Sequence, residues 1–179
     1  MKRIISLMIV LMLVLTMTAC GSTSETKSPD INEQAQTVEF DGEIKVGVVT
    51  AITGSFPLAG ERTKQGVQLR CDEINEAGGL LGKKVVIVVE DDQSTQTGAV
   101  NAVNKIVNED IVAVIGPHLS GNVMATEQIF KNSQMPFLTG GTNPKLAELG
   151  NPYLFRIRPS DVMVAEAAAK YAVETLGAK

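Results

Sequence analysis

The segment from residue 111 to 144 constrains the fold of this chain more than any other. Residues 111–115 (IVAVI) form a short β-branched apolar run, which is typical of a strand buried on both faces. The apolar spacing over residues 122–132 predicts a helix with one buried face, and residues 136–139 (PFLT) predict a second buried strand. A strand–helix–strand unit of this kind predicts a parallel sheet with a right-handed crossover.

Two hydroxyl-bearing residues come after these two strands, each at the start of a predicted helix. Ser120 follows the first strand, and Thr142 lies in the GGTNP loop after the second. Open α/β sheets bind ligands at the carboxyl ends of their strands, and helix amino termini there present unpaired N–H groups to an anion. Three neighbouring glycines let a ligand approach the backbone closely: Gly121, Gly140 and Gly141. We therefore predict a cradle for a small carboxylate, and the spacing leaves open that both hydroxyls only cap their helices.

The rest of the chain continues the alternation of strands and helices. Further strands are predicted at residues 43–50, 84–90 and 153–157, and further helices at 61–77, 95–108 and 160–176, with a loop over 51–60. The helices at 61–77 and 95–108 each separate two strands, which is the connection that parallel strands require. The sequence thus predicts an α/β fold, a doubly wound parallel sheet with helices on both faces.

Candidate catalytic and metal-binding groups are few. The acidic run at residues 90–92 could suggest a metal site, but no spaced third ligand group follows it, so a solvated strand end is the simpler interpretation. Cys71 falls on the apolar stripe of helix 61–77 and is interpreted as a core residue, with a reactive thiol as the alternative. His118 is the one histidine and could face the ligand edge, but we interpret it as an ordinary loop residue. We expect no catalytic residue, no metal and no cofactor, since neither a nucleotide-binding motif nor a nucleophile–base pair stands out.

Residues 1–20 have the composition of a secretory signal. Lys2 and Arg3 precede an apolar run that is too short for a stable membrane span and ends at Ala19-Cys20. A small residue before a cysteine resembles a lipobox, which predicts that acyl chains on Cys20 anchor the protein to the outer face of the cell membrane. An ordinary cleaved signal is the alternative. We predict a flexible, polar tether over residues 21–42 and the folded domain over residues 43–179.

Net charge argues against nucleic acid as a partner. The chain carries 16 basic and 20 acidic residues, a net charge of −4. Without Lys2 and Arg3 of the predicted signal, the net charge becomes −6. No basic cluster remains that could bind a phosphate backbone.

Five segments, in collinear order, resemble the type I extracytoplasmic solute-binding proteins, and especially the branched-chain amino-acid (leucine/isoleucine/valine) receptors of ABC transporters. In chain order they are IKVGVVTAITG, EINEAGG, VVEDDQS, VAVIGP followed by Ser-Gly, and PFLTGGTNPKL. The resemblance implies a two-lobed clamshell that closes on a small molecule and delivers it to a membrane permease. It also implies an exported binding protein and not an enzyme.

The resemblance implies roles for particular residues as well. Ser120 and Thr142 match the residues whose hydroxyl and backbone N–H groups bind the α-carboxylate of the ligand. A backbone carbonyl at Gly140 or Gly141 would accept a hydrogen bond from the α-ammonium group. The aromatic residue that covers the ligand side chain in the enteric leucine receptors falls at Ala59, which implies a wider pocket or a different ligand.

The chain also departs from that family. The threonine loop is one residue shorter than in the enteric receptors, and the small disulfide is absent, with Ser94 and Leu119 near its positions. Family members are longer, so the resemblance covers only an incomplete first lobe. Because tight sites bury most of the ligand surface, we expect one lobe alone to bind amino acids weakly or not at all. The sequence leaves three other interpretations open: a ligand-sensing domain on the same fold, a secreted enzyme, and a non-functional fragment that lacks the second lobe.

Overall fold

The computed structural model describes residues 39–179. The predicted signal peptide, Cys20 and the tether as far as residue 38 lie outside the described residues. Asp41 and Gly42, at the end of the predicted tether, already belong to the domain. The Asp41 N–H donates to the Gly82 carbonyl at 2.9 Å, and the Lys84 N–H donates to the Gly42 carbonyl at 3.0 Å.

Within residues 39–179, five parallel strands form one sheet in the order β2-β1-β3-β4-β5. They are β1 (Glu43–Thr50), β2 (Lys84–Asp91), β3 (Ala113–Ile115), β4 (Phe137–Thr139) and β5 (Leu154–Arg156). Four α-helices in the described part of the chain accompany them: α1 (Pro57–Glu76), α2 (Gln96–Ile106), α3 (Ser120–Asn132) and α4 (Asp161–Glu174). A single 3₁₀ turn, Pro144–Ala147, follows β4. The predicted doubly wound parallel sheet is confirmed.

The strand order determines which face of the sheet each helix covers. The chain moves from β1 outward to β2 and then returns across β1 to β3. Because such crossovers are right-handed, this change of direction places α1 on the face opposite α2 and α3. Helices α2 and α3 pack on each other, whereas α1 packs on β1 and β2. No helix among residues 39–179 combines the length and apolar character needed to cross a membrane.

The main core lies between the sheet and the pair α2 and α3. Phe130 of α3 and Phe137 of β4 are fully buried, and their rings stack with centroids 4.1 Å apart. The buried residues around them are Val49, Ala102, Val103, Ile106, Ile111, Val114, Val123, Met135 and Leu146. This core holds the carboxyl ends of β3 and β4 side by side.

Two helices begin earlier than the sequence predicts. Helix α1 begins at Pro57 instead of residue 61, since proline is well suited to the first helical turn, and so Ala59 lies in a helix and not in a loop. Helix α3 begins at Ser120 instead of residue 122. Helix α4 is capped by Ser160, whose hydroxyl accepts a hydrogen bond from the Met163 N–H at 3.4 Å.

The α1 face of the sheet carries an open apolar groove of about 490 Å³. One side of α1, including Val67 and Cys71, forms its wall, and Val46, Ile115 and Leu138 form its floor. Cys71 is buried, as the core interpretation predicts, and burial raises the pKa of its thiol, with a smaller contribution from Asp72. The thiol is therefore protonated at neutral pH, which argues against the reactive alternative.

Candidate functional site

Two loops meet at the carboxyl edge of the sheet, because β3 and β4 are neighbours. We call them the β3 loop (residues 116–119) and the β4 loop (residues 140–143). Gly116 opens the β3 loop with a φ of 101°, and a Cβ there would overlap the Val49 carbonyl oxygen of β1. Only glycine fits this position without strain. The turn it allows brings the start of α3 beside the β4 loop.

Four consecutive N–H groups of the β4 loop donate to side chains. The N–H groups of Thr142 and Asn143 both donate to the Ser120 hydroxyl oxygen at 3.2 Å. The Gly141 N–H donates to the Thr139 hydroxyl oxygen at 3.0 Å, and the Gly140 N–H donates to Nδ1 of His118 at 3.2 Å. Side chains of the β3 loop and of the start of α3 thus fix the path of the β4 loop. The structure brings together four predicted site residues here: Ser120, Thr142, Gly140 and Gly141.

Ser120 is the centre of this arrangement. Its oxygen accepts two backbone hydrogen bonds, so its own O–H proton remains to be donated. A hydroxyl that accepts hydrogen bonds becomes a stronger donor, because hydrogen bonds in a chain polarise one another. The N–H groups of Ser120 and Gly121 open helix α3, where helical geometry supplies no acceptor. Together these groups form a cluster of donors suited to an anion.

The structure changes one detail of the predicted cradle. The resemblance implies that the backbone N–H of Thr142 binds the ligand directly, but here that N–H donates to Ser120. Ser120 and Thr142 are both half-buried, so a carboxylate that approaches the two loops can reach these residues and the first turn of α3. It could reach the Thr142 N–H only by replacing Ser120 as the acceptor.

Thr139 connects the β3 loop and the β4 loop through its hydroxyl group. It is fully buried, its hydroxyl donates to the Pro117 carbonyl at 2.6 Å, and the same oxygen accepts from the Gly141 N–H. The peptide group that carries the Gly141 N–H also carries the Gly140 carbonyl, so Thr139 orients that carbonyl. Sequence reasoning assigned Thr139 to the β4 strand and missed this role. A hydroxyl at the end of an apolar strand was the available signal.

The interpretation of residues 90–92 as a solvated strand end is wrong, because all three side chains make structural contacts and Asp92 is buried. Glu90 pairs with Lys105 at 2.6 Å. Asp91 accepts bonds from the N–H groups of Ile52, Thr53 and Gln93 and from the Thr53 hydroxyl. Burial acts to raise the pKa of Asp91, but these hydrogen bonds outweigh it and keep that pKa below its usual range. Within residues 39–179, no group of three or more potential metal-binding side chains occurs.

Asp92 connects the starts of two helices. It is buried, its Oδ2 accepts from Nδ2 of Asn122 in α3 at 3.1 Å, and its Oδ1 accepts from the Ser94 N–H just before α2. A Cβ at Gly121 would lie 3.1 Å from Nε2 of Gln96, the first residue of α2. The amino termini of α2 and α3 therefore converge at Gly121, and Gln96 borders the site, although its sequence position gave no sign of this.

Ala59 occupies a different part of the same edge. It is exposed in the first turn of α1, which follows β1, and β1 lies next to β3 in the sheet. The structure therefore places Ala59 one strand away from Ser120. A role for Ala59 beside a ligand side chain stays a prediction.

Comparisons with known proteins establish the class. The periplasmic binding protein family matches residues 43–179, and the chain belongs to this family. It is 34% identical over 133 residues to the Leu/Ile/Val-binding protein BraC3 of Rhizobium johnstonii, an alignment that covers 74% of this chain and 36% of that protein. It is also 34% identical over 135 residues to the leucine-specific-binding protein of Salmonella typhimurium, covering 75% of this chain and 37% of that protein.

Solved structures show the same relationship. One is the branched-chain amino acid transporter substrate binding protein LivJ from Streptococcus pneumoniae in complex with isoleucine. It matches with a TM-score of 0.71 and 30% identity, over 75% of this chain and 39% of that one. An ABC transporter substrate-binding protein from Desulfitobacterium hafniense, in complex with Leu, matches with a TM-score of 0.67 and 29% identity, over 74% of this chain and 39% of that one. The chain spans between 36% and 39% of the length of these relatives.

Proposed function

We propose that this protein captures a branched-chain amino acid, or a similar small carboxylate, outside the cell and delivers it to the permease of an ABC importer. The observation that supports this most directly is the donor cluster around Ser120, which presents one hydroxyl proton and the first N–H groups of α3. Relatives with the same fold are named for binding leucine, isoleucine and valine, or contain leucine or isoleucine. The carboxylate of such a ligand would accept from the donors at Ser120, and Thr142 would add a second hydroxyl.

Residues 43–179 supply one wall of the proposed cleft. The described donors all lie on one edge of one sheet, and a ligand on that edge keeps its other side exposed to solvent. Tight binding requires that most of the ligand surface be buried. We therefore propose that these residues form the first of two lobes, and that the second lobe covers the ligand.

A chimera tests this proposal. Residues 43–179 replace the matching segment of the leucine-specific-binding protein of Salmonella typhimurium, so that the second lobe of that protein completes the cleft. We expect calorimetry to detect leucine binding and to detect none with leucinamide, which lacks the carboxylate. A folded chimera that binds leucine and leucinamide equally, or binds neither, would refute the proposed site.

We also propose that Cys20 carries a lipid anchor. It follows an apolar run and a small residue, and the sequence contains one other cysteine, Cys71, which is buried in α1. Cells that express the chain with labelled palmitate should incorporate the label. The substitution Cys20→Ala should abolish incorporation, whereas the matched control Cys71→Ala should retain it. Label that persists in Cys20→Ala would contradict the anchor.

A further inference from the structure

His118 makes a specific contact with the β4 loop, which its interpretation as an ordinary loop residue did not predict. Its Nδ1 accepts a hydrogen bond from the Gly140 N–H at 3.2 Å. A nitrogen that accepts a hydrogen bond carries no proton, so the neutral ring must be protonated at Nε2. The Nε2 atom is buried, and no hydrogen-bond partner for it exists within residues 39–179.

The imidazole also determines the space around Gly140. A Cβ at Gly140 would lie 3.0 Å from Nδ1 of His118 and 3.3 Å from Cδ of Arg158. Gly140 is therefore enclosed by the ring on the β3 loop and by the Arg158 side chain that follows β5. The next residues along the chain, from Gly141 to Asn143, make the contacts with Thr139 and Ser120. The position of Gly140 thus sets where the β4 loop begins relative to Ser120.

We propose that His118 is a positioning residue for the carboxylate site: its neutral ring holds the β4 loop against Ser120, and a proton on Nδ1 releases that loop. The expected effect on ligand binding rests on the proposed function, whereas the contact between His118 and Gly140 does not. A protonated ring presents an N–H at Nδ1 to the N–H of Gly140. Two donors cannot share a hydrogen bond, so the contact is lost.

The charges around the ring determine the pH range of this effect. Burial lowers the pKa of His118, Asp92 on the β2 side raises it, and Arg158 on the β5 side lowers it, with a net shift below the usual value. On the α1 side, Arg62 and Arg70 line the same groove as His118. The folded protein therefore favours the neutral ring. The neutral His118 ring contributes fully to the free energy of unfolding above the usual histidine pKa. This contribution is lost as the pH falls through the lower pKa of His118 in the folded state.

Nuclear magnetic resonance can test the contact without a ligand, because the chain has a single histidine and its ring signals are unambiguous. We expect the proton on Nε2 at neutral pH. On acidification, the ring signals and the Gly140 amide signal should shift together, with a midpoint below that of a free histidine side chain. A proton on Nδ1, or a Gly140 amide that does not follow the ring, would overturn the proposal.

Two variants distinguish the role of the hydrogen-bond acceptor at residue 118 from the role of the imidazole ring. In His118→Asn the amide oxygen can take the place of Nδ1, so the Gly140 amide should stay near its original position and lose its pH dependence. In His118→Leu the acceptor is gone, and the Gly140 amide should move. If His118→Leu does not fold, the pH titration of the unmodified chain still tests whether His118 contacts Gly140. A Gly140 amide that is unchanged in folded His118→Leu would contradict the contact.

The chimera extends the test to binding. Leucine keeps both of its charges between about pH 5 and 7, so a change in affinity there reports on the protein. We expect leucine affinity to fall about three- to tenfold as the ring is protonated, which is the loss of one hydrogen bond, and to stay constant in His118→Asn. Constant affinity in the unmodified chimera would overturn the positioning role. A chimera that binds no leucine would overturn the proposed function, and the ligand-free titration would still decide the contact.

Discussion

Two hydroxyl groups that lie close together in the site have different tasks. The Ser120 oxygen accepts two N–H groups of the β4 loop and keeps its own proton for a ligand. The Thr139 hydroxyl donates to Pro117 and accepts from Gly141, so both of these contacts are internal. Ser120 is half-buried and Thr139 is fully buried. Substitutions at the two positions should therefore affect different properties, affinity for Ser120 and stability for Thr139.

The substitution Ser120→Ala should lower leucine affinity in the chimera by about 10- to 100-fold, since a hydrogen bond to a charged group is worth about 1.5–3 kcal/mol. Calorimetry measures the change. Ser133→Ala is a matched control at the other end of α3, where the hydroxyl donates only to the carbonyls of Ile129 and Phe130. If both variants lose affinity equally, Ser120 does not bind the carboxylate.

The substitution Thr139→Val keeps the shape of the side chain and removes its hydroxyl. It should lower the free energy of unfolding by about 1–3 kcal/mol, because the Pro117 carbonyl and the Gly141 N–H lose their partner in a buried site. Urea denaturation measures the loss. Thr126→Val is the control: Thr126 is equally buried, but it donates only to carbonyls within its own helix. Equal losses in the two variants would show that Thr139 does not connect the loops.

At the scale of elements, helix α1 is positioned by a close approach to β1. Gly60 is buried in the first turn of α1, and a Cβ there would overlap the Ala51 carbonyl oxygen, just after β1. Gly66 lies two turns later in the same helix, and a Cβ there would meet nothing within 4 Å. Packing against β1 therefore requires glycine at position 60, whereas Gly66 only lowers the stability of the helix.

The two glycines should respond oppositely to alanine. Gly60→Ala should lower the free energy of unfolding by about 3 kcal/mol, because backbone has to move to admit the methyl group. Gly66→Ala should raise it by about 0.5–1 kcal/mol, since alanine has the higher helix propensity. Thermal or urea unfolding measures both. A neutral Gly60→Ala would mean that α1 does not approach β1 this closely.

The order of elements could be predicted from the sequence, whereas several contacts within the site could not. Strand β1 has the bounds that its apolar run predicts, since a buried run is a local signal. The close approach of Gly60 to Ala51 was not predicted, and neither was the contact of His118 with Gly140, 22 residues away. Contacts between residues so distant in sequence depend on the strand order, which local patterns do not specify. The donors around Ser120 were predicted because helix starts after parallel strands are a local feature with a fixed place in the fold.

At the scale of the whole molecule, one face of the sheet is more completely packed than the other. Helices α2 and α3 cover the core face, while the α1 face keeps the apolar groove. Helix α4 has no buried residue within the described part of the chain, and it exposes Val162, Met163 and Tyr171. These surfaces agree with the proposal that residues 43–179 form one lobe of a larger binding unit.

The carboxylate site is tested most directly by titrating leucine into a protein of residues 21–179. Nuclear magnetic resonance signals of the backbone amides report where leucine binds. We predict weak binding, with affinity poorer than micromolar, because one wall leaves most of the ligand exposed. The largest shifts should occur at Ser120, Gly121, Thr142 and Asn143, and leucinamide should not produce them. Shifts confined to other residues, equal shifts with leucinamide, or no shifts at all would contradict the account.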